Sequence, residues 1–248
     1  MASIFEEFEI HHLGGPLFSV AGHPIAFTNS ALFMFISVIA CTLFMVLAMG
    51  PQAVVPGRWQ LAAEKLYDLV ADFLESGAGE KSKPFFPFIF SIFIFILFCN
   101  LFGMLPGSLA VTSHVIVNLS IAAILFIVII ITGFVRHGIH FFGLFVPKGV
   151  PMLMIPMMAV IEFFSFCVRP FSLSIRLFGN MLAGHLVLQV FAGLVLSLLT
   201  AGWLAGLSVL PLIMDIVIIA FEFFVAFLQA YIYAVLASVY LHDAIEMH

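Results

Sequence analysis

Long apolar runs separated by short polar gaps set the plan of this chain. Residues 30 to 49 carry no charged side chain over a length that crosses a hydrocarbon core of about 30 Å, and the run closes at Gly50-Pro51. Residues 58 to 76, RWQLAAEKLYDLVADFLES, change the rhythm: Ala62, Leu66, Leu69 and Phe73 recur on one helical face, and Glu64, Asp68, Asp72 and Glu75 on the other. That pattern fits a helix lying on the membrane surface, and it equally fits an amphipathic helix packed on protein. Residues 85 to 105 and 113 to 135 are two further uncharged runs, joined by a short turn around Pro106-Gly107, and they predict an antiparallel pair of spans.

The last hundred residues read differently. Residues 149 to 199 and 207 to 241 are apolar but too long, because at about 1.5 Å per residue each would overshoot the core as an upright helix. Either the first splits near Arg169-Pro170, or both are single helices lying strongly tilted, with their polar positions turned to protein or water. No Gly or Asn turn signal stands at 169 to 171, and a lone proline is tolerated within a membrane helix, which favours tilt. The expected fold is an all-α membrane protein. It has five transmembrane helices and one interfacial amphipathic helix, and its last two spans form a long tilted antiparallel hairpin. Residues 1–29 form an outside segment, 30–135 hold the first three spans with the surface helix, and 136–248 hold the hairpin.

Composition agrees. Hydrophobic residues make up 64% and charged residues 8%, whereas soluble domains run near half apolar and about a quarter charged. The three cysteines, Cys41, Cys99 and Cys167, sit in apolar stretches without metal-ligand spacing, so neither a disulfide framework nor a zinc site is expected, and no cofactor is implied. A net charge of −5 without a basic block excludes nucleic acid as a partner. The start, MASIFEEFEIHH, lacks the basic opening of a signal peptide, so the spans themselves are expected to direct insertion. Orientation follows from Lys and Arg, which collect on the cytoplasmic side. With five crossings, Arg58, Lys65, Lys81 and Lys83 share one loop and Arg136 and Lys148 the next on that side; residues 1–29, 106–112 and 200–206 have none. The N-terminus is therefore expected outside and the C-terminus in the cytoplasm, and a sixth crossing would reverse the latter.

Ionisable groups recur by sevens in the overlong segments: Glu162, Arg169 and Arg176 on one, Asp215 and Glu222 on the other, continued by Gln229. Seven residues make almost two turns, so each set drifts only about 20° per step and shares a face. Charged groups facing lipid cost several kcal/mol, so such stripes face a bundle interior, where they mark ion pathways or form structural ion pairs. Arg169 and Asp215 also fit positions near the membrane interfaces, whereas Arg176 lies deep and is expected to be buried. If the two segments pair antiparallel, Arg176 comes beside Gln229 and His185 beside Glu222 in registers that agree to about half a turn. The second pair can pass protons near neutral pH, since imidazole titrates there; a histidine merely satisfied in the core is the plainer alternative. Gly179 and Gly184 flank Asn180 and allow another helix close, or simply pack.

The segments SLSIRLFGNMLAGH (172–185) and FLQAYIYAVLASVYL (227–241), with NLFGMLPG at 100–107 and TSH at 112–114, resemble subunit a of the F-type ATP synthase. The similarity runs from about residue 30 to the end and is strongest over 159–241. It implies a stator channel in the inner (plasma) membrane of a bacterium, beside a rotating ring of proteolipid c subunits that each carry a membrane carboxylate, held by b-type peripheral stalk subunits. Arg176 matches the family's arginine, whose permanent charge keeps each passing carboxylate deprotonated and blocks leakage between two half-channels; an arginine cannot lose its proton in a protein. Asn180 and Gln229 match its polar neighbours. His185 and Glu222 stand where many bacterial members have Glu and His in the opposite order, so in this respect the chain resembles the mitochondrial arrangement. They fall to the outside half-channel with Asp215 at its mouth, and Glu162 to the cytoplasmic one. The His–Glu couple points to protons rather than sodium.

The sequence has no GxxxxGK[ST] loop, so nucleotide chemistry belongs to other subunits, and the chain is not expected to be an enzyme alone. Two rivals remain at this level: a haem-binding electron-transfer subunit using His114 and His185, and a secondary transporter, which would show repeats and broken helices. An intramembrane protease is disfavoured because neither GxSxG nor HExxH occurs. His137 and His140 have no third ligand nearby and read as a solvated loop.

Overall fold

The computed structural model describes residues 12–20, 23–50, 57–105, 111–145 and 154–245. The acidic start, Pro51, the Pro106-Gly107 turn and Lys148 lie outside the described residues. An antiparallel ribbon, β1 (His12–Val20) and β2 (His23–Thr28), precedes six α-helices: α1 (Asn29–Ala48), α2 (Arg58–Ala78), α3 (Phe86–Gly103), α4 (Val115–His137), α5 (Ile155–Thr200) and α6 (Val209–Ile245). The ribbon pairs His12 with Thr28 and Val20 with His23, and its register slips on either side of Pro16, which has no N–H for a ladder. It is an addition to the all-helical expectation. Thr28 and Asn29 then open α1, their side-chain oxygens accepting the N–H groups of Ala31 and Ser30 at 3.3 and 2.9 Å.

Five helical stretches among the described residues are long and apolar enough to cross a membrane: Asn29–Ala48, Ser82–Gly103, Val115–Phe141, Ile155–Thr200 and Ala205–Ile245. The count agrees with the sequence. α5 runs unbroken for 46 residues through Pro170, so the reading that splits it there is set aside. A proline inside a membrane helix removes one backbone donor without ending the helix.

The chain divides into two compact units, the first of Met1–Cys41, Phe95–His114 and Leu177–Gln229, the second of Thr42–Ile94, Val115–Arg176 and Ala230–His248. In the second, α2 lays its apolar face on protein. Phe73 meets Tyr231 edge-on at 5.6 Å and Tyr67 meets Phe86 at 4.6 Å, while Glu64, Asp68, Asp72 and Glu75 stay exposed. The buried face is turned slightly from the expected one: Ala63, Val70 and Leu74 are buried with Phe73, and Ala62 is exposed. The contacts with the start of α3 and with α6 set the centre of that face, which a period of 3.6 alone locates only to within a residue.

In the same unit the segment Gly138–Phe145 turns back over α4, starting at Gly138 with φ 56°. The Phe141 ring, 2% exposed, occupies the space where a side chain at Gly133 would stand. His137, expected in a solvated loop, donates from Nε2 to the Ile245 carbonyl at 3.0 Å and ties the end of α4 to the end of α6. His140 is exposed.

Candidate functional site

The first unit holds a cavity of about 390 Å³ between Leu177–Thr200 of α5 and the first half of α6, closed on a third side by Met104 and Leu105 after α3. Its wall is mostly apolar, from Leu188, Ala192, Ile219 and Phe223, and into it come His185, Gln189, Asp215 and Glu222. On α6, Asp215 and Glu222 are half-buried and Gln229 is 8% exposed, while Ile216, Val217, Phe221 and Phe224 between them are exposed. The seven-residue spacing therefore does place the α6 polar set on one inward face.

Gly184 makes room for the acid. A Cβ at that position would collide with the Glu222 carboxylate, so the absent side chain is what allows this carboxyl to lie against the α5 backbone. Gly179 has nothing within 4 Å of the same position, so only one of the two glycines marks a close approach. Asp215 Oδ1 and Glu222 Oε1 are buried and accept no hydrogen bond among the described residues. Buried carboxyl oxygens in that state are satisfied by water or by carrying a proton. The imidazole and the two carboxyl groups around this space can each take up and release a proton, and the Gln189 amide can both donate and accept hydrogen bonds beside them.

A second cluster belongs to the other unit. Arg169 reaches Glu162 at 3.4 Å and Asp243 at 3.5 Å, and its guanidinium lies over the Tyr240 ring at 4.8 Å from the centroid. One cation shared by two carboxylates and backed by an aromatic face is a closed arrangement. It assigns Arg169 to structural pairing.

Arg176 does not share the half-buried environment of Glu162 and Arg169. It is exposed, as are Ser172, Asn180, Ala183 and Val187, all within about three turns of it on α5. The correction has a simple cause: the buried side of α5 here is made by Leu173, Ser174, Leu177 and Met181, and the drift accumulated from Glu162 carries position 176 to its edge. Nine residues separate Arg176 from His185, about two and a half turns, so they project from opposite sides of a regular helix. Among the described residues no carboxylate pairs with Arg176.

Sequence reasoning missed Gln189, Tyr240 and Asp243, as well as Asn100, whose Nδ2 donates to the Ala226 carbonyl at 3.1 Å. Only Gln189, one turn beyond His185, left a periodic signal. Among the described residues no group of three or more His, Cys, Asp or Glu side chains is placed to hold a metal ion.

Fold and site together define a helical multi-pass membrane protein with ionisable groups turned inward on its two longest helices, the arrangement that marks ion pathways. The sequence matches the ATP synthase A chain family over residues 31–242, and the chain belongs to that family. It is 44% identical over 243 residues to ATP synthase subunit a of Pelagibacter ubique, covering 98% of this chain and 97% of that protein. To ATP synthase subunit a of Agrobacterium fabrum it is 48% identical over 228 residues, 92% of each chain. The subunit a of Rhizobium rhizogenes gives 48% over 228 residues, 92% of this chain and 91% of that one.

Proposed function

We infer that this chain is the proton-conducting stator subunit in the membrane sector of an F-type ATP synthase. The observation that carries the reading is Arg176, a permanent cation exposed on an apolar spanning helix among small neighbours at Ser172, Gly179 and Ala183. Facing lipid, such a charge costs several kcal/mol; facing a neighbouring helix that carries an acid, it is stabilised, and small side chains let that helix approach. The partner that fits is a ring of proteolipid c subunits, each with one membrane carboxylate, while b-type peripheral stalk subunits hold the stator in place.

Protons enter from the outside through the cavity, passing Asp215, Glu222 and His185, and reach a ring carboxylate close to Asn180 and Gln229. Arg176 keeps the carboxylate before it ionised and separates this half-channel from the cytoplasmic one, to which Glu162 belongs. One charge moving through about 100 mV releases about 2.3 kcal/mol, so several must pass for each costly synthesis carried out on other subunits. The chain conducts and directs protons and is not catalytic alone. In the whole synthase, Arg176→Ala should assemble but abolish both ATP synthesis and ATP-driven proton uptake by inverted membrane vesicles. Normal pumping by that variant overturns the reading.

The Lys and Arg distribution supports an outside N-terminus and a cytoplasmic C-terminus in the bacterial plasma membrane. A cysteine introduced at position 242 should react with an impermeant maleimide in inverted vesicles and not in intact cells; the opposite pattern reverses the topology.

A further inference from the structure

Asn100 lies in the last turn of α3, fully buried, and its side-chain amide donates to the backbone carbonyl of Ala226 on α6 at 3.1 Å. A carbonyl inside a helix already accepts from the N–H four residues on, so this bond is not one that secondary structure requires. The other end of the amide makes the arrangement informative. Asn100 Oδ1 is buried and receives no hydrogen bond among the described residues. An aliphatic side chain of the same size would remove that unsatisfied acceptor at little cost, so what explains an amide here is the group its Nδ2 holds.

That group is well placed. Ala226, 1% exposed, follows Glu222 by one turn and precedes Gln229 by three residues, so all three share a face of α6. Just over one turn beyond Asn100, the chain also supplies Met104 and Leu105 to the cavity wall. One hydrogen bond thus fixes the rotation and the height of the α6 polar face against the helix that closes the cavity. We propose that Asn100 is a positioning residue of the proton path, holding α6 where the Glu222 carboxyl seats against Gly184 and opens to the space it shares with His185. The proposal rests on the proton-path reading above. The titratable groups facing this cavity are His185 from α5 and Asp215 and Glu222 from α6, and Met104 and Leu105 bring none.

The test uses the assembled synthase in inverted membrane vesicles, reading complex content and ATP-driven proton uptake across a range of pH. Asn100→Leu keeps the volume and loses the donor; it should assemble and pump about tenfold more slowly, because a small displacement of a reacting group carries a penalty of that order or more. Asn100→Asp separates tie from volume: its protonated carboxyl can donate to the Ala226 carbonyl, whereas its ionised form repels it. That variant should pump well in acid and lose activity as pH rises, along a profile neither the parent nor Asn100→Leu follows. If Asn100→Leu assembles and pumps like the parent at every pH, the proposal is overturned. If Asn100→Leu fails to assemble, the Asn100→Asp profile decides, and failure of both to assemble assigns the residue to folding and also overturns it. Arg176→Ala, run in parallel, keeps the two questions apart: normal pumping there defeats the proton-path reading, whereas a dead Arg176→Ala beside an unaltered Asn100→Leu defeats only the role given to Asn100.

Discussion

The two polar clusters of this chain use the same kinds of side chain in opposite ways. Around the cavity, Asp215 and Glu222 carry buried oxygens with no protein donor among the described residues, and a glycine leaves one of those carboxyl groups unobstructed. In the other cluster, Glu162 and Asp243 are both engaged by Arg169, which is itself covered by Tyr240. An acid held by a fixed cation keeps its charge and its place, whereas an acid facing open volume can change its protonation as the space before it fills and empties. Burial and charge alone do not distinguish the two. The two sets of acids differ in whether their hydrogen-bond partners are already committed.

The widest separation between the clusters should come from charge removal at the cavity. Glu222→Gln should lower ATP-driven proton uptake by about 10²-fold, the scale lost with a proton-transferring group, while the synthase still assembles. Equal losses from Glu222→Gln and Arg169→Met in that assay would erase the distinction. Next in size is Gly184→Ala, whose methyl group must displace the Glu222 carboxyl; pumping should fall about tenfold. A silent Gly184→Ala would mean that the carboxyl does not need its seat. The smallest effect belongs to the closed cluster. Arg169 is 22% exposed and its partners 38% and 33%, so solvent screens both pairs and each contributes about 1 kcal/mol or less. Arg169→Met should therefore lower the midpoint of thermal dissociation of the detergent-purified complex only modestly. A collapse of assembly would show that the cluster carries far more of the fold than its geometry implies.

Apolar length made the spans legible in advance, and all five fall where the long apolar runs put them. The seven-residue spacing was sound for Asp215, Glu222 and Gln229, where one face of α6 stays inward throughout. On α5 the same rule carried too far. Its buried side is set by Leu173, Leu177 and Met181, and the drift between heptads moves Arg176 out of it. Asn100 was beyond reach for a different reason: its partner is a backbone carbonyl 126 residues away, and every residue type offers the same carbonyl. Asp243 and Tyr240 were hidden likewise, since an ion pair or a ring contact between distant turns leaves no period. The ribbon of His12–Thr28 was passed over because its β-forming residues, such as Phe18, Val20, Ile25 and Phe27, read as apolar before they read as strands.

The Phe141 ring seated over Gly133 has an effect on how the chain can be attacked. A protease needs several residues of extended backbone around the bond it cuts, and the Arg136-His137 peptide lies between the glycine that receives the ring and the segment the ring fastens down. Trypsin should find that bond closed in the folded protein. It should open only when a side chain at position 133 evicts the phenyl group, so that a cut after Arg136 reports on a lock made from one missing methyl.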